Sequence, residues 1–277
     1  MPSSPLPTIG IVGAGRLGSA LARSLHAAGY PLRGISSRPG EHATRLAGAL
    51  GVPLLAPADL LGQADLVFLA IPDDALADWV AANGASPPGR SGAAIVHCSG
   101  ATPAAVLEPL ARRGWQIGGC HPLAPFASRD GAVPAGITWA IEAAEPARSS
   151  LRRLVESLSG APIDLRPEDK VLYHAAAVLA ANFAVTLAAR AVDVLGLCGI
   201  APEPALAALL PLLRGNLENL GRVGLPAALT GPLSRGDWGT VERHLAALDE
   251  RAPDIAALYR AGVAATTPLL GSVASSS

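Results

Sequence analysis

The sequence predicts an α/β fold in which a doubly wound, mostly parallel sheet is followed by an all-α C-terminal region. Short apolar runs alternate with segments of helical spacing as far as about Leu165, and such alternation implies a parallel sheet with right-handed crossovers. Runs such as DLVFLAI are apolar on both faces, as expected where helices cover both sides of a sheet. Because strand signals stop after Arg166-Pro167, we predict two domains, 1–165 and 166–277.

Six runs in the first domain are expected to be strands, because each is rich in β-branched, Leu or aromatic residues and is bounded by Gly, Pro or Ser. They are TIGIVG, PLRGISS, DLVFLAIP, AAIVHCSG, WQIGGCHP and ITWAIE. Amphipathic spacing predicts helices between most of them. These are expected at 16–28, 41–50, 73–82, 103–113 and 147–158.

The second domain is expected to contain only helices. The first of them is predicted to end at Gly196, and the second is predicted to be one helix or a pair interrupted at Pro211. The terminal SVASSS is expected to fray. The predicted helices span 168–195, 203–221, 237–248 and 254–266.

The composition is that of a globular protein, since half of the residues are apolar and 16% are charged. The net charge is −1, and the basic residues are scattered without interleaved aromatics, which predicts no nucleic-acid partner. No apolar run reaches the ~18 residues that cross a bilayer, so no membrane span is expected.

The three cysteines, Cys98, Cys120 and Cys198, lack paired spacing, which predicts neither a disulfide framework nor a metal site. The N-terminal MPSSPLPT has no basic region and no long apolar stretch, which argues against secretion. A cytoplasmic location is the expectation.

The segment GIVGAGRLGSAL places Gly13-x-Gly15-x-x-Gly18 between the first strand and the first helix. Each glycine has its own expected role: Gly13 permits a tight turn, Gly15 lets a pyrophosphate approach, and Gly18 lets the helix pack on the strand. A tight turn without a ligand is the alternative. The predicted cofactor contacts here are Gly13, Ala14, Gly15, Arg16, Leu17 and Gly18.

The second strand decides which dinucleotide is expected. NAD-binding sites usually carry an acidic residue about 20 positions after the glycines, on the ribose hydroxyl, whereas this strand ends in Ser36, Ser37 and Arg38. A guanidinium and a hydroxyl suit a 2′-phosphate, so the predicted cofactor is NADP(H). A solvated arginine on a turn is the alternative.

Later strand ends are expected to line the nicotinamide, because ligands bind beyond the carboxyl ends of parallel strands. This predicts cofactor contacts at Ala70, Ile71, Pro72 and Ser99. His97 is expected to be a packed strand-end residue.

The segments GIVGAGRLGSAL, LAIPDD, HCSG, GCHPLAPF, YHAAAVLAANF and LTGPLSRGDWGTVERHL run through nearly the whole chain. With them the chain resembles an oxidoreductase family that joins a Rossmann-like NADP-binding domain to a helical domain of unassigned function. The broader superfamily includes β-hydroxyacid dehydrogenases, ketopantoate reductase, pyrroline-5-carboxylate reductase and prephenate dehydrogenase. The resemblance implies hydride transfer in an interdomain cleft, commonly in dimers, without implying one substrate.

The resemblance also points to particular residues. β-Hydroxyacid dehydrogenases carry a catalytic lysine early in the long helix, followed three and four positions on by asparagines. Lys170 stands at the matching place, but Tyr173 and His174 replace the asparagines. The Ser-Thr substrate loop of those enzymes is similar to the stretch around Ser99, and GCHPLAPF, which contains His121, is similar to the His-Pro segment of prephenate dehydrogenase.

Hydride transfer to a carbonyl or imine needs a proton donor near the reacting heteroatom. Lys170 and His174 are one helical turn apart on one face, and His121 begins a Pro-rich loop at a strand end. These three are the candidate catalytic residues, and the sequence does not choose among them. A solvated lysine, a packed histidine and a loop anchor are the structural alternatives.

Substrate contacts are predicted at Ser99 and, from the helical domain, at Asn182, Thr230, Arg235 and Asp237. Asn182 is an amide in an apolar helix and needs partners, either a ligand or another helix. The last three belong to a polar turn, with Asp237 the expected N-cap of the next helix and Arg235 available to an anion. A dimer would let this loop serve the partner's cleft, and a plain capping turn with an Arg235–Asp237 contact is the alternative.

The predicted function is NADP(H)-dependent oxidation or reduction of a small oxo, hydroxy or imino compound by a homodimer. The Ala-rich helix after residue 166 has more apolar faces than one neighbouring domain covers, and this predicts the dimer. A non-catalytic NADP(H)-binding sensor or scaffold is the alternative. A flavin or F420 cofactor is disfavoured, since only the glycine loop would support it.

Overall fold

The computed structural model describes residues 5–273. The chain divides into two compact units, one reaching Val178 and the other beginning at Leu179. This division lies beyond the boundary predicted at 166, because Lys170 pairs with Glu142 and Tyr173 bonds to His121, both on strands of the first unit. Residues 274–277, which form most of the segment expected to fray, lie outside the described part.

The first unit contains a seven-stranded sheet in the order β2-β1-β3-β4-β5-β6-β7. Neighbouring strands are parallel except β5 and β6, which are antiparallel, and this confirms the predicted mostly parallel sheet. The strands are β1 (Ile9–Val12), β2 (Leu32–Ser36), β3 (Leu66–Leu69), β4 (Ala94–His97), β5 (Gln116–Pro122), β6 (Thr138–Ala143) and β7 (Ala161–Asp164).

All six predicted strands are present, and β7 is an addition. It has four residues, is mostly exposed and contains Pro162, which an edge strand tolerates because one of its sides needs no partner. Such a segment has neither the apolar run nor the alternation that marks a strand in sequence.

Helices cover both faces of this sheet, as predicted. Successive residues of β3 show it: Phe68 belongs to one buried apolar cluster, whereas Val67 and Leu69 belong to the other. The helices of this unit are α1 (Arg16–Ala27), α2 (Glu41–Leu50), α3 (Pro57–Leu61), α4 (Leu76–Asn83), α5 (Glu108–Ala111), α6 (Ala147–Ser157) and α7 (Lys170–Ala177).

One helix of this unit was missed, and two predicted helices need correction. The short α3 was not predicted, and the helices expected at 73–82 and 103–113 each begin as 3₁₀ turns, Asp73–Ala75 and Ala104–Leu107. Short segments bury too few residues to show a helical period.

The second unit is helical, as predicted, and its helices are α8 (Phe183–Leu197), α9 (Pro202–Val223), α10 (Trp238–Arg251) and α11 (Pro253–Val273). The single helix expected over 168–195 was wrong in detail, because a π-helical segment, Val178–Asn182, lies between α7 and α8. Of the two alternatives left open for the next helix, the structure has the single one, because α9 continues through Pro211. Ala207, whose carbonyl loses its partner there, is exposed, so water can satisfy it.

Among the described residues, the stretch Pro167–Leu197 is long and apolar enough to span a membrane by length and composition. This finding differs from the expectation that the chain contains no membrane-spanning run. Apolar core and interface helices of other proteins meet the same criterion, and this stretch contains the charged Lys170, Arg190 and Asp193. Length and hydropathy alone therefore do not identify this stretch as a membrane-spanning helix.

Candidate active site

Two of the three loop glycines are required by the protein's own packing. Gly13 has φ +100°, and a Cβ there would lie 2.3 Å from the Ala70 carbonyl oxygen. A Cβ at Gly18 would lie 1.9 Å from the Gly13 carbonyl oxygen. Gly13 therefore makes the turn against the end of β3, and Gly18 lets α1 approach β1.

Gly15 differs from its neighbours, because a Cβ there would have no atom within 4 Å. It is the N-cap residue of α1 with φ −72°, and it is exposed. Neither backbone conformation nor packing within the described residues requires glycine here. The open space lies in front of a helix N-terminus, where free amides and the helix dipole favour an anion.

The end of β2 lies beside this turn. The Gly13 amide donates to the Ser36 carbonyl at 2.7 Å, so the two loops are tied together. Ser36 is buried, Ser37 is half-buried and Arg38 is exposed. Ser37 and Arg38 are thus the two side chains of this predicted set that are available to a ligand. On the other side of the turn, the Ala70 amide donates to the Val12 carbonyl at 2.8 Å.

A second polar cluster lies at the ends of β4 and β5, beneath α7. The Ser99 hydroxyl donates to Asp73 at 2.6 Å and accepts from the Ala101 and Thr102 amides at 3.2 and 2.9 Å. One donor and two acceptor positions are the full capacity of a hydroxyl. The Ser99 side chain therefore anchors its own loop here, and its predicted ligand contacts would need these bonds to rearrange.

Lys170 is buried, with 1% of its surface exposed, so the alternative of a solvated lysine is wrong. Its ammonium lies 3.3 Å from a carboxylate oxygen of Glu142 and donates to the Ser99 carbonyl at 3.1 Å. Glu142 also accepts from the Ala104 amide at 2.9 and 3.0 Å. The pair ties the start of α7 to β6 and to the loop after β4.

His97 is fully buried, as expected for a packed strand-end residue. Its Nδ1 accepts from the Ser99 amide at 3.2 Å, which leaves the proton on Nε2. Burial, and then the Lys170 ammonium, lower the pKa of His97 to about 4. The Pro103 carbonyl opposes this shift as an electrostatic neighbour, because Nε2 has no partner in hydrogen-bonding geometry among the described residues.

His121 is half-buried and meets two residues of α7. Its Nδ1 lies 2.9 Å from the Tyr173 hydroxyl, and its ring meets that of His174 edge-on at 6.2 Å. Gly100 makes this possible, because a Cβ there would lie 2.8 Å from His174 Cδ2 and 3.0 Å from His121 Nε2.

Burial favours the neutral forms of His121 and Tyr173. Burial first, then His174 and Lys170, lower the pKa of His121 to about 4, and burial raises the pKa of Tyr173 to about 12. His174 is half-buried and has no hydrogen-bond partner within the described part of the chain. Lys170, His174 and His121, predicted separately, are thus brought to one place.

The predicted residues of the second unit are all exposed, namely Asn182, Thr230, Arg235 and Asp237. Asp237 caps α10 as expected, accepting from the Thr240 amide at 3.0 Å. The alternative contact between Arg235 and Asp237 does not form a hydrogen bond or ion pair in the described residues. Their contacts with a substrate stay predictions.

Sequence reasoning missed Asp73, Glu142 and Tyr173. Asp73 stands in LAIPDD, directly after a predicted strand, and that position was a usable signal. Glu142 had no such signal, and Tyr173 was marked only as a residue that replaces an asparagine. The partners of both are distant in sequence. No group of three or more His, Cys, Asp or Glu side chains within residues 5–273 is placed to hold a metal ion.

Two family models match successive parts of the chain. Residues 3–125 match a Rossmann-like domain, and residues 137–266 match a domain of unknown function (DUF2520). The predicted resemblance to a Rossmann-like protein with a helical domain of unassigned function is confirmed.

A curated relative is L-threonate dehydrogenase of Cupriavidus necator, 34% identical over 107 residues. The match spans 38% of this chain and only 35% of that enzyme.

Two solved structures extend over more of the chain. BF3122 from Bacteroides fragilis, a candidate NADP oxidoreductase, is 24% identical with a TM-score of 0.76, covering 95% of this chain and 98% of that one. An imine reductase from Myxococcus stipitatus in complex with NADP⁺ is 20% identical with a TM-score of 0.66, covering 95% and 94%. These likenesses concern the fold.

Proposed function

We propose that this chain, which joins a Rossmann-like domain to a domain of unknown function (DUF2520), is an NADP(H)-dependent oxidoreductase. It transfers a hydride to or from a small oxo, hydroxy or imino compound. The observation that carries the proposal is the open space at Gly15, between two glycines that packing requires. A loop that only turned the chain would have no use for a glycine there.

The form of the cofactor follows from the end of β2. Ser37 and Arg38 follow the strand at the position where an NAD-binding protein usually has a carboxylate. A hydroxyl and a guanidinium there suit the 2′-phosphate of NADP(H). The named oxidoreductases among the similar proteins support the same class of cofactor and reaction.

The proton that accompanies the hydride is assigned to His174. Lys170 is enclosed by Glu142 and the Ser99 carbonyl, and His121 already bonds Tyr173. His174 is half-buried without a hydrogen-bond partner in the described residues, and an imidazole needs little tuning to donate a proton near neutral pH.

Replacing the proton donor is expected to slow the chemical step while leaving cofactor binding intact. We expect His174→Gln to lower kcat by the ~10²–10⁴ typical of a lost general acid. The measurement is NADPH oxidation with a panel of keto acids, lactones and cyclic imines, together with an NADPH titration. His26→Gln, at the end of α1, is the control and should match the wild type. Full activity of His174→Gln would move the assignment to Lys170 or His121.

A non-catalytic NADP(H)-binding sensor or scaffold is the second candidate. It is favoured by one observation: Tyr173 and His174 stand where β-hydroxyacid dehydrogenases carry two asparagines. The same substrate panel separates the two, because a sensor would bind NADPH and turn over no compound.

We propose further that the protein is a cytoplasmic homodimer associated through its helices after residue 166. Large apolar side chains there are strongly exposed, including Leu172 at 74%, Val185 at 72% and Leu217 at 68%, and such patches commonly mark association. Cys98, Cys120 and Cys198 are free thiols, which suits a reducing compartment.

Sedimentation velocity at micromolar concentration is expected to give the mass of a dimer. Leu172→Glu should weaken the dimer, because it places a charge on the apolar surface, whereas Leu54→Glu, exposed in the first unit, should not. A wild-type protein that sediments as a monomer would contradict the proposal.

A further inference from the structure

We propose that Tyr173 fixes the tautomer of His121, so that the imidazole presents its Nε2–H as a neutral hydrogen-bond donor to the substrate heteroatom. Tyr173 is then a positioning residue, and nothing in the sequence pattern marked it as one. That the Nε2–H donates to a substrate heteroatom rests on the proposed function, whereas the tautomer of His121 does not.

The contact is well defined. The Tyr173 hydroxyl and His121 Nδ1 are 2.9 Å apart, and the two rings meet edge-on, with centroids 5.5 Å apart and an interplanar angle of 89°. The edge of the imidazole that carries Nδ1 is therefore occupied by a protein partner.

The direction of this hydrogen bond follows from the chemistry of the two groups. A phenol O–H is the stronger donor, and an unprotonated imidazole nitrogen is the stronger acceptor. Their environment keeps both neutral, since burial lowers the pKa of His121 to about 4 and raises the pKa of Tyr173 to about 12. The Tyr173 hydroxyl therefore donates to Nδ1, and the single imidazole proton is on Nε2.

Nε2 lies beside Gly100, at the carboxyl end of the β4 strand, where a Cβ would be 3.0 Å away from it. The described residues supply no hydrogen-bond acceptor for Nε2. Since ligands of such sheets bind beyond the carboxyl ends of the strands, the N–H is available to a ligand at the place where the nicotinamide and substrate are expected.

A neutral imidazole is well suited to this task. A bound NADPH would supply hydride to a carbonyl carbon. The C=O π pair would then move to oxygen, where the fixed N–H donor of His121 would stabilise the charge that develops. In the proposed function, the proton that completes the alcohol comes from His174. His121 keeps its own proton throughout, so each residue has one role.

The tautomer is measured by long-range ¹H–¹⁵N correlation on ¹⁵N-histidine protein without cofactor at pH 7. The His121 signals, assigned with His121→Asn, are expected to show a protonated Nε2 and an unprotonated Nδ1. Tyr173→Phe is expected to produce a mixture of tautomers. Tyr30→Phe removes a comparable contact, the hydroxyl bond to Ser157, and should leave the His121 signals unchanged.

A wild-type His121 protonated on Nδ1, or an unchanged tautomer in Tyr173→Phe, would overturn the inference. If Tyr173→Phe does not fold, the wild-type spectrum decides alone. An NADPH titration of the same sample distinguishes the two proposals. If the protein binds NADPH but His121 has the other tautomer, only the inference about Tyr173 is wrong. If His121 has the expected tautomer but the protein does not bind NADPH, only the proposed function is wrong.

Discussion

The Glu142→Gln variant is expected to lose about 3–5 kcal/mol of unfolding free energy, the usual cost of leaving one member of a buried ion pair alone. Lys170 and Glu142 have side chains only 2% and 8% exposed, so water cannot take over from the missing carboxylate. Glutamine keeps the shape of the side chain and can still accept from the Ala104 amide. The loss therefore reports the unpaired ammonium rather than a cavity.

The measurement is unfolding in urea, monitored by tryptophan fluorescence. This signal mainly reports the first unit, because three of the four tryptophans lie there, namely Trp79, Trp115 and Trp139. The double variant Lys170→Met/Glu142→Gln, which buries no charge, should recover most of the stability. Glu145→Gln breaks the exposed pair with Arg148 and should change little. If Glu142→Gln is as stable as the wild type, the Lys170 ammonium is not a buried charge that depends on Glu142.

Alanine at two neighbouring glycines is expected to have opposite consequences. Gly15→Ala should leave the melting temperature unchanged, because its Cβ meets nothing within 4 Å, but should raise the Kd for NADPH by at least about tenfold, or ~1.4 kcal/mol. The added methyl occupies the space where the pyrophosphate approaches the backbone. Gly18→Ala should lower both stability and binding, since its Cβ would lie 1.9 Å from the Gly13 carbonyl oxygen.

Differential scanning fluorimetry and NADPH titration on the same samples test this pair. Gly48→Ala in α2 is the matched control: its Cβ also meets nothing within 4 Å, and it lies in the last turn of that helix, away from the loop. It should bind NADPH normally and be at least as stable as the wild type. If Gly15→Ala binds NADPH as tightly as the wild type does, the pyrophosphate does not bind at this loop and the prediction is wrong.

The fold was largely predictable because its information is local. The strands β1 to β6 are runs whose composition marks them individually, and the roles of Gly13, Gly15 and Gly18 follow from their spacing after a strand. The short elements β7 and α3 have no such period. The antiparallel pairing of β5 with β6 is not encoded in either strand alone.

The sequence predicted which residues belong to the candidate site, but it did not predict which side chains contact one another there. Lys170 and His174 stood one turn apart in the sequence, but the burial of Lys170 depends on Glu142, which β6 brings beneath it. The Tyr173–His121 contact joins residues 52 positions apart. Long-range pairs of this kind depend on where a sheet places its strand ends, and a single sequence carries little signal for that.

The central claim, a site built for NADP(H), is tested most directly by titrating the wild-type protein with NADPH and NADH and following the quenching of its tryptophan fluorescence. We expect a preference for NADPH that Arg38→Ala reduces sharply, with little change in the weaker affinity for NADH, because the guanidinium would meet only the 2′-phosphate. Equal affinity for the two cofactors in the wild type, or no binding of either, would contradict it.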